Sequence, residues 1–463
     1  MKLLTAGFLT VCCVRKVRNW MDDRMRTFRF SPHWTEILKP RVLIPAGAGV
    51  CVNAFLLLRG RFGKAEILMI SVFLSVSLWT LLSAEIHRRR TIIEIRGEAL
   101  TCLSPSCEKK LKRQGIDRVE IRGTSVGRIL GGVKLRIYSD ASSRARLSVS
   151  VSRKRVNEII GHMIPLGEET GKTVPGRHSA AIYAVTSEST TLLLLASAFF
   201  TLSARDSIAL NAAGAFLSAA AVMNLLAAFA RFRRLSLSRR SSGFIITSGF
   251  WGRKRIYLPE NAVAGAVIRR SPAAVLCGFG ALWMLTYGGA LIPCACRVND
   301  GEGVHSAMKL IGAENGYSAK LSDIDAIRKK YASTIIPAVF GVFLSAYFAL
   351  DAESVPSRFF ACLAGAFLTS AAVRGLVGFR CADSFGLNVS PSAIFAGGMK
   401  GCSAEYYIFR RGCLAGVRIS SSLFERMNGL CCAIPFTSGG RRGVKCSCVL
   451  YGAVNGFTAR FCG

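Results

Sequence analysis

The chain has 463 residues, 51% of them apolar, and a mean hydropathy of +0.37, too apolar for an ordinary soluble protein and too polar for one that is membrane throughout. Its 61 Lys and Arg against 27 Asp and Glu give a formal charge of +34. Many of these cations collect beside apolar segments rather than along one helix, so they mark membrane boundaries and argue against nucleic-acid recognition.

Residues 1–40 read as an N-terminal basic segment. Within it Lys2, an apolar core Leu3–Val14, and then Arg15, Lys16 and Arg18 look like a signal peptide only superficially. Cations after the core hold that side inside, and no small-x-small cleavage site follows. Two readings stand side by side: a genuine segment over residues 1–24, or a start at Met25, where Met25-Arg-Thr-Phe-Arg-Phe-Ser-Pro-His-Trp34 opens the first repeat.

Pairs of apolar segments then recur three times at intervals of about 150 residues, and that period decides the architecture. Val42–Leu58 with Ile67–Ala84 predicts a membrane hairpin over 41–86, Thr190–Ala204 with Ser207–Ala230 one over 180–230, and Thr334–Leu350 with Phe359–Phe379 one over 331–379. A hydrocarbon core of about 30 Å takes about 17–25 apolar residues per helix. Thr190–Ala204 reaches that length only by running back through Glu188 into Ala180–Ser189. Buried helices of a soluble domain would explain single segments, but not pairing that recurs.

Cations flank the pairs at Lys39 and Arg41, His87 to Arg90, Arg231, Arg233 and Arg234, Arg328 to Lys330, and Arg374 and Arg380. The connections Arg205-Asp206 and Asp351–Arg358 carry few, while Arg59–Glu66, with Arg59, Arg61 and Lys64, argues the other way. The balance predicts six helices in three hairpins dipping outward from the cell membrane, with both termini and the polar stretches cytoplasmic.

The polar stretches, 87–170, 231–327 and 380–463, read as short β-strands. In the first, Thr91–Arg96, Ala99–Leu103, the basic run Lys109–Arg113 and Val119–Ile121 precede Gly132–Tyr138. That last run alternates, with Val133, Leu135 and Ile137 on one face and Lys134, Arg136 and Tyr138 on the other. After the strand Arg146–Val151, residues Val156, Ile159, Ile160 and Met163 fall at helical spacing and would cover the sheet. The second stretch offers Phe244–Ser248, a turn at Gly249, Arg253–Leu258 as its hairpin partner, and Ala281–Tyr287. The third has Gly386–Val389, Ala393–Phe395, a Gly397-Gly398 turn, Tyr406–Phe409 and Ala433–Phe436. Each stretch also has a Ser seven residues before a Gly: Ser125/Gly132, Ser271/Gly278 and Ser422/Gly429. Each module would thus be a barrel or sandwich of about five to seven antiparallel strands, large enough for a small core, the first closed by a helix.

The segments Ile116-Asp-Arg-Val119 to Ser125-Val-Gly-Arg-Ile-Leu-Gly-Gly-Val133, Ile256-Tyr-Leu-Pro-Glu-Asn-Ala-Val263 to Ser271-Pro-Ala-Ala-Val-Leu-Cys-Gly-Phe279, and Ser422-Leu-Phe-Glu-Arg-Met-Asn-Gly429 carry a likeness. With the hairpins, they make residues 27–463 resemble the bacterial membrane-flanked, pleckstrin-homology-like (PH-like) domain family, in its three-repeat, YdbT-like form. The resemblance implies a small PH-like domain after each hairpin. It also implies a cell-envelope role in resistance to membrane-active antimicrobial compounds and a smaller PH-like membrane protein as partner. The chain departs from the pattern in its wealth of Arg, Ser and Cys, and in lacking a full closing helix after Leu450.

No catalytic residues, metal ligands or cofactor motif stand out. The 17 Cys lack the two-residue spacers of zinc knuckles and read as reduced, apolar-like thiols. Asp323 and Asp325 belong to an amphipathic helix leading into the third hairpin, and His162, His178 and His305 have no nearby Ser or Cys in a nucleophile motif. Nucleotide-binding glycine loops are missing. Arg374 lies near a helix end, from which it can snorkel. The residues left for binding are Lys109, Lys110, Lys112 and Arg113 in the first stretch and Arg253, Lys254 and Arg255 in the second, at corresponding strand positions. They would meet anionic lipid headgroups or an acidic partner, or else simply guard a solvated strand edge. The function expected is that of a membrane scaffold or binding protein; the alternative is a transporter or exporter component, for which Asn53 and Asn211 are the polar positions.

Overall fold

The computed structural model describes residues 27–35, a few positions between 47 and 55, 64–96, 99–104, 107–123, 130–139, 145–164, 167–174, 178–204, 207–249, 254–313, 319–420, 430–437 and 446–450. The chain divides into two units. One comprises Met1–Asp140, Arg144–Gly167 and Trp251–Tyr257, the other Ala141–Ser143, Glu168–Phe250 and Leu258–Gly463.

In the first unit β1 (Thr27–Phe30) precedes α1 (Lys64–Arg90), and β2 (Ile92–Arg96), β3 (Ala99–Ser104) and β4 (Cys107–Lys112) follow it. These strands form an antiparallel sheet in the order β1-β2-β3-β4. A 3-10 turn, Arg113–Gly115, leads to β5 (Ile116–Arg122), β6 (Gly132–Ser139), β7 (Leu147–Ser152) and the closing helix α2 (Val156–Met163). Strand β6 lies between β5 and β7, and the segment Lys254–Tyr257 pairs antiparallel with the far edge of β5. Alternation works as expected for the buried Leu135 and Ile137. Tyr138, expected on the outer face, is buried too, because the Arg118 guanidinium lies 3.8 Å over its ring. Helix α2 buries Val156, Ile159, Ile160 and Met163, the face that its spacing predicts.

The second unit opens with β8 (Glu169–Thr173), α3 (Ser179–Val185), α4 (Glu188–Leu202), α5 (Ile208–Phe232), β9 (Ser236–Arg240) and β10 (Gly243–Ser248). Next come β11 (Lys254–Pro259), whose first four residues belong to the first unit, a 3-10 turn Glu260–Ala262, β12 (Val263–Arg270), α6 (Pro272–Leu276), β13 (Phe279–Thr286), β14 (Leu291–Asn299) and α7 (Asp300–Ile311). The last group is β15 (Ala319–Lys320), α8 (Ile324–Asp351), α9 (Val355–Arg380), β16 (Gly386–Val389), β17 (Ala393–Lys400), β18 (Ser403–Arg410), a 3-10 turn Arg411–Cys413, β19 (Leu414–Ser420), β20 (Leu430–Thr437) and β21 (Cys446–Leu450).

Two features depart from the expected layout. A short strand stands ahead of each set of apolar helices and joins the sheet made after it: β1 on β2, β8 on β9, β15 on β16. The second is that a sheet does not stay within one polar stretch. The order β14-β13-β12-β18-β17-β16-β15 runs through two of them, joined where β12 and β18 pair. Val267 and Leu285 of that sheet, with Ile394, Tyr407 and Phe409, share one core with Cys431, Ala433, Cys446 and Val449 of the sheet β19-β20-β21.

Among the described residues four helices, α1, α5, α8 and α9, are long and apolar enough to cross a membrane; α3 and α4, bent by 44° at their break, make a fifth if taken as one span. Their large side chains face outward, among them Trp79 at 69% exposure, Phe343 at 71% and Phe367 at 70%, a surface stable only in apolar surroundings. Val42–Leu58, the sixth expected helix, lies almost wholly outside the described residues, as do Arg59, Arg61 and the stretch after Leu450. The amphipathic segment before the third hairpin is continuous with its first span in α8, N-capped by Asp323, whose carboxylate accepts from the amides of Asp325 at 2.9 Å and Ala326 at 3.1 Å.

The helix pairs meet through small and hydroxyl residues, as helices without a hydrophobic drive between them do. Ser197 Oγ donates to the Gly214 carbonyl at 2.9 Å and Asn224 Nδ2 to Thr190 Oγ1 at 3.0 Å. Between α8 and α9 a Cβ on Gly375 would lie 2.7 Å from Ile335 Cγ1, and one on Gly341 2.9 Å from Leu368 Cδ1.

Candidate functional site

Two groups of charged residues carry the electrostatics. The first lies where α4 begins. Its helix breaks from α3 at Thr186-Ser187 because Ser187 is extended and turns its hydroxyl to Thr190 Oγ1, 2.7 Å away. Glu188 is thereby the first helical residue, where the positive helix end favours a carboxylate. Its Oε1 accepts from the Cys402 amide at 2.6 Å, and its Oε2 from the Ser403 hydroxyl and from Arg269 Nη2 at 3.1 Å. Gly401, at φ +63°, turns the β17–β18 hairpin so that these two donors face the carboxylate.

Arg269 is shared. Its Nε lies 3.4 Å from Oε1 of Glu405, the residue directly opposite it across the β12–β18 junction. Glu405 is 1% exposed, and its other oxygen accepts from the Tyr407 hydroxyl at 2.9 Å and lies 3.6 Å from Lys400 Nζ. Burying a carboxylate is costly unless it is paired, and every oxygen here has a partner. A cleft of about 170 Å³ beside Glu188 is lined by Tyr183, Asn224, Arg231, Arg269 and Ser403. The arrangement fastens α4 to strands from two polar stretches.

The second group comprises the predicted cations, which the fold separates. Lys109, Lys110 and Lys112 lie on β4, the end strand of its sheet, with exposed side chains. Lys110 meets Glu108 at 3.1 Å. The hydroxyl of Ser104, the last residue of β3 and paired with Cys107 of β4, lies 3.3 Å from His87 Nε2 in the last turn of α1, so β4 starts beside the end of an apolar helix. Arg113 falls in the 3-10 turn, and Arg253 lies outside the described residues. Lys254 and Arg255 are at the start of β11, paired with β5 and half-buried. Lys254 Nζ is 3.3 Å from Oε1 of the buried Glu120, and desolvation holds its pKa below the usual lysine range despite that carboxylate.

No family model, curated protein or solved structure matches the chain.

The chemistry therefore rests on the residues themselves. Among the described residues no three His, Cys, Asp or Glu side chains gather as metal ligands. Asn211 is exposed on the second turn of α5, Arg374 is exposed near the end of α9, and Asn53 lies outside the described residues. Glu120, Arg269 and Glu405 belong to no motif in the sequence, and Glu188 stands out there only as a charge interrupting an apolar segment. For Glu405 the available signal was an acid at the head of the apolar run Tyr406–Phe409; its partner Arg269 is too distant along the chain to be inferred.

Proposed function

We propose that this chain is an integral-membrane binding scaffold of the bacterial cell envelope. In this reading six helices form three outward-dipping hairpins, and three copies of one internal repeat supply cytoplasmic PH-like β domains. The observation that carries it is the junction at Glu188, Arg269 and Glu405, where one apolar helix is tied to a sheet that runs through two polar stretches. Such a junction holds binding modules at a fixed place on the bilayer. Its acids and bases neutralise one another instead of facing a substrate.

The resemblance set out above adds protection against membrane-active antimicrobial compounds and a smaller PH-like membrane partner. Lysines on β4, beside the end of α1, suit either an anionic headgroup or an acidic protein. A transport component is the second reading, favoured by the bend between α3 and α4, since interrupted helices line many substrate paths.

Survival of producing cells challenged with a cationic membrane-active peptide separates the two. The scaffold reading expects Lys109→Glu/Lys110→Glu/Lys112→Glu to abolish protection and Asn211→Leu to leave it intact. The reverse pattern, at equal membrane levels of both variants, would sink the scaffold and favour transport.

A further inference from the structure

We infer that the outer edge of β4 is a docking edge for an acidic β-strand of another polypeptide; the inference deepens the scaffold reading by naming the chemistry of a partner. Strands β4, β11 and β18 each run directly into a 3-10 turn, and β5, β12 and β19 each run directly out of one. Two pairings between such strands are present. On β5, Lys254 of β11 stands opposite Arg122, Ile256 opposite Glu120 and Tyr257 opposite Val119. On β12, Glu405 of β18 stands opposite Arg269, Tyr407 opposite Val267 and Ile408 opposite Ala266. Counted from their own turns, the two registers are the same. Each holds one cross-strand ion pair, Lys254 with Glu120 at 3.3 Å and Arg269 with Glu405 at 3.4 Å.

Strand β4 is the third member, and among the described residues it ends its sheet. Glu108, Lys109, Lys110 and Lys112 are exposed and Leu111 is buried, whereas Ser403 to Phe409 of β18 are buried throughout. The chain's own strand β19, which ends its sheet among the described residues, does not suit it. In the shared register Arg418 would face Lys109, and like charges directly opposite destabilise a pair. A carboxylate in the position that Glu120 holds on β5 would face Lys109 instead. The occupant that fits is therefore an extended antiparallel segment with an acid opposite Lys109. Its main chain would supply the hydrogen bonds and the lysines the selectivity. In the free protein the same lysines keep like edges apart.

The test uses the full-length protein in nanodiscs of neutral phosphatidylcholine and a fluorescent peptide, Val-Glu-Val-Glu-Val-Glu-Val. Expected are saturable binding, slowed amide exchange over Cys107–Lys112, and affinity about tenfold lower for Lys109→Glu/Lys110→Glu. Binding to that variant should return with a peptide carrying Lys in place of Glu. A peptide with Pro at the inner Val positions keeps its charge but cannot form the ladder. If it binds equally, or if β4 shows no protection, the docking edge is refuted. Vesicles containing phosphatidylglycerol that engage the lysines while the acidic peptide does not would assign the edge to lipid and overturn it as well. This assay needs no cellular phenotype, so it can fail while the survival test succeeds, and the converse.

Discussion

Burial decides what the cysteines do. Cys294 and Cys296 on β14 are each 1% exposed, and burial pushes both thiols up to about 12. Burial with the neighbouring Cys432 pushes Cys446 up further. A thiol held protonated is neither nucleophile nor ligand, so Cys294, Cys296 and Cys446 are held in their unreactive form. In the unfolded chain the same thiols ionise near pH ~8.5. Above that pH the unfolded state has lost protons that the folded state keeps. The stability from neutral burial is thus complete below about pH 8.5 and declines as pH rises toward 12, by about 1.4 kcal/mol per thiol per pH unit. The urea midpoint of the protein in detergent should therefore drop above about pH 9, and less steeply for Cys294→Ala/Cys296→Ala. Identical slopes for the two proteins would remove these thiols from the account.

At the scale of the element, the spacing of Ser271 and Gly278 has a local cause, while Ser125, Ser422 and Gly429 lie outside the described residues. Ser271 N-caps α6, its Oγ accepting from the Ala274 amide at 3.3 Å; Pro272 begins the helix, and Gly278 leaves it at φ +68°. Ser271→Ala should cost about 1 kcal/mol through the lost cap. Gly278→Ala should cost about 1–2 kcal/mol through left-handed backbone, because its Cβ would meet nothing within 4 Å. Thermal denaturation of both variants checks this, and an unchanged midpoint for Gly278→Ala would show that α6 does not need its left-handed exit. Signals of this range were legible in the sequence, like the buried face of α2. The strands β8 and β15 were not: Glu169–Thr173 is polar and wholly exposed, and Ala319–Lys320 is two residues long. The candidate site was half legible for the same reason. Lys254 stood out as a cation, but its acid, Glu120, lies in another polar stretch, and no local pattern encodes that pairing.

For the molecule as a whole, the shared sheet in the second unit means that its polar stretches are not independent modules. Strand β12 is held on one side by β13 and on the other by β18, and its residues Val263 to Ile268 are buried with both neighbours present. A chain ending at Ala313 would lose β18 and leave that apolar strand as an open edge, which is an aggregation hazard. It would also strip Glu405 from Arg269 and the Cys402 and Ser403 donors from Glu188. Neighbour-coupled units draw much of their stability from the interface between them, so limited proteolysis should cut Val263–Asn299 in the truncated chain and spare it in the complete one. Gly265→Val gives the same test without truncation, because its new side chain would meet the Ile408 carbonyl across the junction. Both variants should become protease-sensitive together. If the truncated chain resists proteolysis as well as the full one, the second polar stretch folds by itself and the β12–β18 pairing is a contact without energetic consequence.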